Sequence, residues 1–203
     1  MAKHCSLIYG LYFVLLLTGC NSPAPVNHQQ TPVIIDIQPF SDAGTEQVDY
    51  VMQEIKKIYP KVELKAPVLI PGLAYYKARN RYRADSLLNF LNRNNRPGHV
   101  IIALTTKDIS WTKGAINDYG IMGLGLCPGN ACVASTYRLS KTNTNDQLYK
   151  TAIHELGHTQ GLKHCPAKTC FMRDAEGKNH SDELKAFCNS CKQHLIIRGW
   201  ALQ

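Results

Sequence analysis

The chain has 203 residues, 44% of them hydrophobic and 19% charged. These are the proportions of a folded domain with a real core, and they exclude a disordered chain or a long repeat array. The formal charge of +8 raises the question of nucleic acid, but no nucleic-acid-binding motif accompanies it, so no nucleic-acid partner is expected.

The first segment reads as a leader. Lys3 gives a positive start and Leu7–Leu17 is an apolar run of 11 residues, too short to span a bilayer and suited to a signal-peptide core. Leu17-Thr18-Gly19-Cys20 follows and resembles the lipobox of bacterial lipoprotein signals, in which the cysteine is lipidated. A plain secretory signal or a buried helix are the other readings. The expectation is a signal peptide over 1–19, a lipidated Cys20 and attachment to a cell-envelope membrane. Asn21 in the next position favours the outer one. Residues 20–32, rich in Pro, Asn and Gln, read as an extended tether. The domain should then occupy 33–203. Without Lys3 the charge drops by one, to +7.

Val33–Ile37 is a β-branched run and predicts a buried strand. From Asp42 to Tyr59 apolar residues recur at helical spacing, and Pro60 ends the pattern. Val62–Leu64 alternates as a strand does. Lys77, Arg79, Arg81 and Arg83 share one face in a strand and scatter in a helix. The helical spacing of Leu87, Leu88 and Leu91 after them favours a helix, from about Ala84 to Asn92, beside a mostly solvated basic surface. His99–Thr105 is the best central strand. Asp108–Tyr119 reads as a loop. Gly120–Leu126 and Cys132–Leu139 read as two strands near a sheet edge, joined by a Cys-Pro-Gly-Asn turn. Cys127 and Cys132 form a small disulfide or remain two thiols, and an oxidising compartment favours the disulfide. Strands alternating with helices imply an α/β (α+β) fold.

The chemistry concentrates after Thr144. Thr144 and Gln147 have the spacing of a capping box, opening a helix expected over about 145–161. His154 and His158 lie one turn apart on one face, where two imidazoles can meet one zinc ion. Gly161 can take a left-handed conformation and turn the chain back, which brings His164 to the same metal. Three histidines leave a coordination position open for water, as in catalytic zinc sites. Glu155, next to a ligand, is placed to act as general base and then acid on a water whose pKa zinc lowers to about 7.

A second cluster begins at once. Cys165, Cys170, Cys188 and Cys191 form two close pairs, as in four-cysteine structural zinc sites. Two disulfides are the other reading. Zinc is favoured because a Cys-x-x-Cys bridge is usually strained or redox-active. A non-catalytic zinc lipoprotein that binds a peptide or protein partner remains an alternative to an enzyme.

From His154 to Cys191 the sequence closely resembles the archaemetzincins, or archaelysins, in the kind and order of its residues. Weaker likeness reaches Tyr137–Ser140 and Arg79–Tyr82. The resemblance implies a zinc metallopeptidase with two Zn2+ ions, one catalytic and one structural, acting on peptide or protein substrates. It implies Met172 as the Met-turn methionine beneath the zinc histidines. It also implies a metzincin-like, mostly parallel twisted sheet with an antiparallel edge strand, helices packed on it and a small C-terminal subdomain over about 165–203. Cys132–Leu139 is the candidate edge strand for pairing with extended substrate.

Overall fold

The computed structural model describes residues 33–202. The expected signal peptide, Cys20 and the tether lie outside them. Among the described residues no helix is long and apolar enough to cross a membrane.

The domain is built on a five-stranded sheet. In chain order come β1 (Ile34–Pro39), α1 (Thr45–Ile58), β2 (Val62–Leu64), β3 (Tyr75–Tyr76), β4 (Arg81–Arg83), α2 (Ala84–Arg93) and β5 (His99–Thr105). Then follow β6 (Ile109–Lys113), β7 (Ile116–Ile121), β8 (Gly123–Gly125), β9 (Ala131–Ser135), α3 (Thr144–Thr159) and α4 (Asn189–Ile197). The main sheet runs β2-β1-β5-β9-β8. Its first four strands are parallel, and β8 closes the edge antiparallel to β9. This is the mixed sheet with an antiparallel edge that the resemblance implies.

Strand periodicity sorts the core into two layers. Ile35, Ile37, Val100, Ile102, Leu104, Cys132 and Ala134 pack on one face with residues of α1 and α3. Ile101, Ala103, Ala131 and Val133 point the other way, onto Leu87, Leu88 and Leu91 of α2. Burial on both faces explains why the central strands read as unbroken apolar runs.

The helix expected over about Ala84–Asn92 is α2, and a 3-10 turn over Lys77–Arg79 leads into β4 just before it. Several other expectations are corrected. The Lys77–Arg83 stretch is not simply a solvated basic surface. Arg81 is bonded to Asp108 at 2.6 Å and to Asp118 at 3.1 Å. Arg138 comes to the same Asp108 from the other side at 2.9 Å. The expected loop Asp108–Tyr119 is largely the β6–β7 hairpin of a second sheet, ordered β3-β4-β6-β7. Gly120–Leu126 is not one strand either, since the chain leaves the second sheet at Ile121 and enters the main one at Gly123. Cys132–Leu139 is not an edge strand. Its ordered part, β9, lies between β5 and β8, so β8 is the edge.

Cys127 and Cys132 are both free thiols. Cys132 is fully buried in β9. Cys127 lies across the turn, where its thiol meets the Leu162 carbonyl at 3.5 Å.

Near the C-terminus Trp200 seals the α1 face, its ring 4.7 Å from that of Tyr59 and both buried. Trp200→Ala should cost about 3–5 kcal/mol, read as a lower midpoint with little change of slope in urea unfolding of the metal-loaded protein.

Candidate metal centres and catalytic cleft

Helix α3 carries the first centre. It starts at Thr144 as expected, but without a capping box. Asn143 is the N-cap and no side chain bonds there. The Thr144 hydroxyl donates to the Ser140 carbonyl, and the Gln147 amide ties Ser140, Asn179 and Asp182 to the helix. Gln147 is buried, so it serves as a cross-brace to the 179–182 segment rather than as a cap. The helix ends at Thr159, and Gly161 has φ +87°. This left-handed residue reverses the chain as predicted.

The reversal brings His164 back against His154 and His158. Each histidine offers a nitrogen within 4.8 Å of the others. The His154 and His158 Nε2 atoms stand 3.0 Å apart. Nitrogens about 2.0–2.1 Å from one tetrahedral zinc would be about 3.3–3.4 Å apart, so a small outward shift accommodates the ion. The Nδ1 atoms are already committed. His154 Nδ1 donates to the Phe171 carbonyl at 2.6 Å and His158 Nδ1 to the Leu162 carbonyl at 2.7 Å. His164 Nδ1 meets the Asp174 carboxylate at 3.1 Å. A carbonyl can only accept, so these bonds fix the tautomer that leaves Nε2 free for a metal. Burial, with repulsion from His158, pulls the His154 pKa down to about 3, and burial lowers that of His158 too. Both are neutral, as metal ligands must be.

Glu155 faces β8. Its carboxylate accepts a bond from the Gly125 backbone N–H, yet burial dominates and pushes its pKa up to about 8. The close fit depends on two glycines. A Cβ at Gly123 would lie 2.6 Å from Glu155 Oε1, and one at Gly125 would lie 2.7 Å from the Glu155 carbonyl oxygen. Only a strand without side chains on that face can lie so close to the helix.

The second centre lies directly behind. Cys165 and Cys188 have sulfurs 3.7 Å apart, and Cys170 and Cys191 3.8 Å. All four sulfurs lie within 4.8 Å of one another. Sulfurs about 2.3 Å from one zinc in a tetrahedron stand about 3.8 Å apart, so the four thiols fit that metal and are not paired as disulfides. The Cys191 backbone N–H, above all, holds the Cys188 thiol down to about 7.

Met172 joins the two centres. It is fully buried, and a Cβ at Gly157 would lie 2.4 Å from its sulfur. It therefore sits under the turn between His154 and His158. Its N–H meets the Cys170 sulfur at 3.5 Å, and its carbonyl accepts from the Cys165 N–H at 2.7 Å. The adjacent Phe171 carbonyl is the one that holds His154.

The three histidines and Glu155 open into a cleft of about 720 Å3. One wall is β8. The other includes Trp111, Lys113 and Tyr119 of the β6–β7 hairpin and the segment from Arg173 to Leu184. Every sequence-predicted site residue within 33–202 converges here or on the centre behind. Sequence reasoning missed Asp174, which lies outside the histidine run and meets His164 only through the fold. It also missed the role of Gly123 and Gly125, although a Gly-x-Gly pair inside a strand is a visible sign of close backbone approach.

The model of peptidase family M54 matches residues 31–196. The chain belongs to this family, that of the archaemetzincin zinc metallopeptidases. Archaemetzincin of Halobacterium salinarum is 28% identical over 176 residues, covering 80% of this chain and 99% of the relative. That of Archaeoglobus fulgidus is 31% identical over 166 residues, covering 79% and 98%. Among solved structures, the Archaeoglobus fulgidus archaemetzincin complexed with malonate superposes with a TM-score of 0.68 at 27% identity, covering 80% of this chain and 99% of that one. The Methanopyrus kandleri archaemetzincin gives 0.68 at 26%, covering 81% and 96%. The family is zinc-dependent, and the two donor clusters of this chain are consistent with two zinc ions.

Two predictions follow from this geometry. In the metal-free protein Glu155 binds a proton more tightly folded, near pH 8, than unfolded, near its ordinary 4.5. Its contribution is full below pH 4.5 and is lost as pH rises through about 8. The melting temperature of metal-free Glu155→Gln should therefore rise relative to that of metal-free wild type between pH 5 and pH 9, by several degrees at about 2–4 °C per kcal/mol. Separately, Cys188→Ser with Cys191→Ser should weaken zinc binding at the histidines by about tenfold or more, because the cysteines anchor the loop that orients His154. A chelator competition assay on the zinc remaining in the variant reads this directly.

Proposed function

We propose that this chain hydrolyses peptide bonds at the histidine centre, with Glu155 as general base and acid. His154, His158 and His164 would hold the catalytic zinc through Nε2. Cys165, Cys170, Cys188 and Cys191 would hold a structural one, with Met172 as the Met-turn residue between them. One observation carries the reading: three imidazoles with their Nδ1 atoms engaged lie beside a buried carboxylate, at the floor of an open cleft.

Zinc, when bound, supplies Lewis acidity, lowering the pKa of water and polarising a carbonyl. Glu155 takes the proton of the attacking water and passes it to the leaving amine. The Gly125 N–H steadies the carboxylate through both transfers. An extended peptide would lie along β8. Met122 and Leu126 of the β8 segment bond across to Ser135 and Ala131, so by strand alternation the main-chain groups of Gly123 and Gly125 point away from the sheet. The Gly125 N–H is used by Glu155. The Gly123 N–H and C=O and the Gly125 C=O are left for substrate, as in β-strand addition. Malonate, found with the Archaeoglobus fulgidus relative, is a small dicarboxylate of the kind a zinc-centred cleft would accept.

The leader, Cys20 and the tether would place this domain on the periplasmic or outer side of a cell-envelope membrane, by preference the outer one. Metabolic labelling with a fatty-acid analogue tests this. Label retained by the wild type and lost in Cys20→Ser is expected; equal labelling would reject the anchor.

The enzymatic reading is tested with the zinc-loaded wild type and Glu155→Gln on a broad peptide library. Cleavage by the wild type, lowered by about 10³-fold or more in a variant with equal zinc content, is expected. Two bound zincs and peptide capture without cleavage would instead favour the non-catalytic binding protein.

A further inference from the structure

The cleft carries a charge imbalance that metal binding and catalysis do not use. Six cationic side chains line it: Lys113, Arg138, Lys150, Lys163, Arg173 and Lys178. Three have acid partners outside the cleft, Arg138 on Asp108, Lys150 on Asp146 and Arg173 on Glu183. Lys113, Lys163 and Lys178 form no ion pair among the described residues. Lys113 instead lies 4.9 Å from the centre of the Tyr119 ring.

Only two carboxylates line the same cleft, Glu155 and Asp174. Glu155 is buried against β8. Asp174 is occupied by the Glu176 N–H and by His164. Neither is free to neutralise the walls. The three unpaired ammonium groups also come from separate pieces of chain: the β6–β7 hairpin, the turn before His164, and the loop after Asp174. That loop approaches the hairpin, since a Cβ at Gly177 would lie 3.5 Å from the Tyr119 hydroxyl. A zinc ion at the histidines would make the cleft more positive still. Cleft walls of one sign focus the field and concentrate ligands of the opposite sign.

We propose that this cleft selects peptides bearing carboxylate groups close to the scissile bond, with Lys113, Lys163 and Lys178 as the selecting residues. The proposal rests on the peptidase reading for its site. The carboxylate can be an Asp or Glu side chain or the chain terminus, and the two sources are separable. A peptide with apolar residues on both sides of its centre would gain nothing from these lysines. A peptide with Lys or Arg there would be repelled.

The test uses the zinc-loaded full chain and one fluorescent peptide backbone in four forms. These are amidated with Glu flanking the centre, amidated with Ala, amidated with Lys, and Ala with a free C-terminal carboxylate. Binding is measured by anisotropy on the Glu155→Gln protein, so the preference is read whether or not the wild type turns over. The Glu form, the free-carboxylate form or both should bind about fivefold or more tighter than amidated Ala at low salt, and the Lys form more weakly. The advantage should shrink as ionic strength rises. In Lys113→Ala/Lys163→Ala/Lys178→Ala it should fall towards one, while bound zinc is unchanged. Lys→Arg at the three positions should restore it. Equal binding of all four forms, or a preference that survives the triple substitution, would overturn the proposal. Failure of the wild type to cleave any form would count against the peptidase reading alone, because binding is scored separately.

Discussion

The bond from the His154 ring to the Phe171 carbonyl is the joint on which the site depends. It fixes the tautomer and tilt of one histidine, and it ties α3 to a segment that has no regular secondary structure. That segment needs another source of rigidity, and a metal held by the four cysteines would supply it. Cys165 and Cys170 lie on its ascending part. Met172 bonds back to both, and Phe171 also pairs with Ala186 just before Cys188. A loop held this way can position a carbonyl as firmly as a strand can. The two centres are therefore one construction, the cysteine cluster behind setting the geometry of the histidine cluster in front.

Much of this was legible because the chemistry sits in short, rigidly spaced runs. His154 and His158 are one helical turn apart, and the φ of +87° at Gly161 is what the motif needed to return His164. The four cysteines were legible as one cluster through two tight spacings, although the closest sulfurs pair across them, Cys165 with Cys188 and Cys170 with Cys191. The central strands were legible because both faces of β1, β5 and β9 are buried. The sheet edge was not. β8 lies within the Gly120–Leu126 run that read as a strand near the edge, but with three residues, two of them glycine, nothing marked it as the outermost strand, and β9 looked like the better edge. The arginine stretch misled for a related reason. Arg81 finds its partners in Asp108 and Asp118, 27 and 37 residues away, and no local pattern announces an ion pair across that distance. The capping box failed because Gln147 had a better use, joining α3 to Asp182 and Asn179.

The arginine network has a plain mechanical purpose. Asp108 lies between Arg81 and Arg138, and Asp118 between Arg79 and Arg81. The Arg79 and Arg81 pairs brace the small second sheet internally, and the Arg138–Asp108 pair ties it to the chain that leaves β9. Gly120 accommodates the clamp, since a Cβ there would meet the Arg138 guanidinium at 2.1 Å. Because the β6–β7 hairpin forms a cleft wall and Arg138 itself lines the cleft, this ion network braces that wall.

The two glycines of β8 carry a consequence beyond close packing. A strand with no side chains on its catalytic face can read only the backbone of what lies beside it, and every peptide presents the same backbone. On the proposed function, discrimination among sequences would then fall to the rest of the cleft, where Trp111, Lys113, Tyr119, Lys163 and the loop after Asp174 supply chemical variety. The cleft would thus have a grip that is indifferent to sequence and a reader that is not. The reader could be exchanged without disturbing the grip.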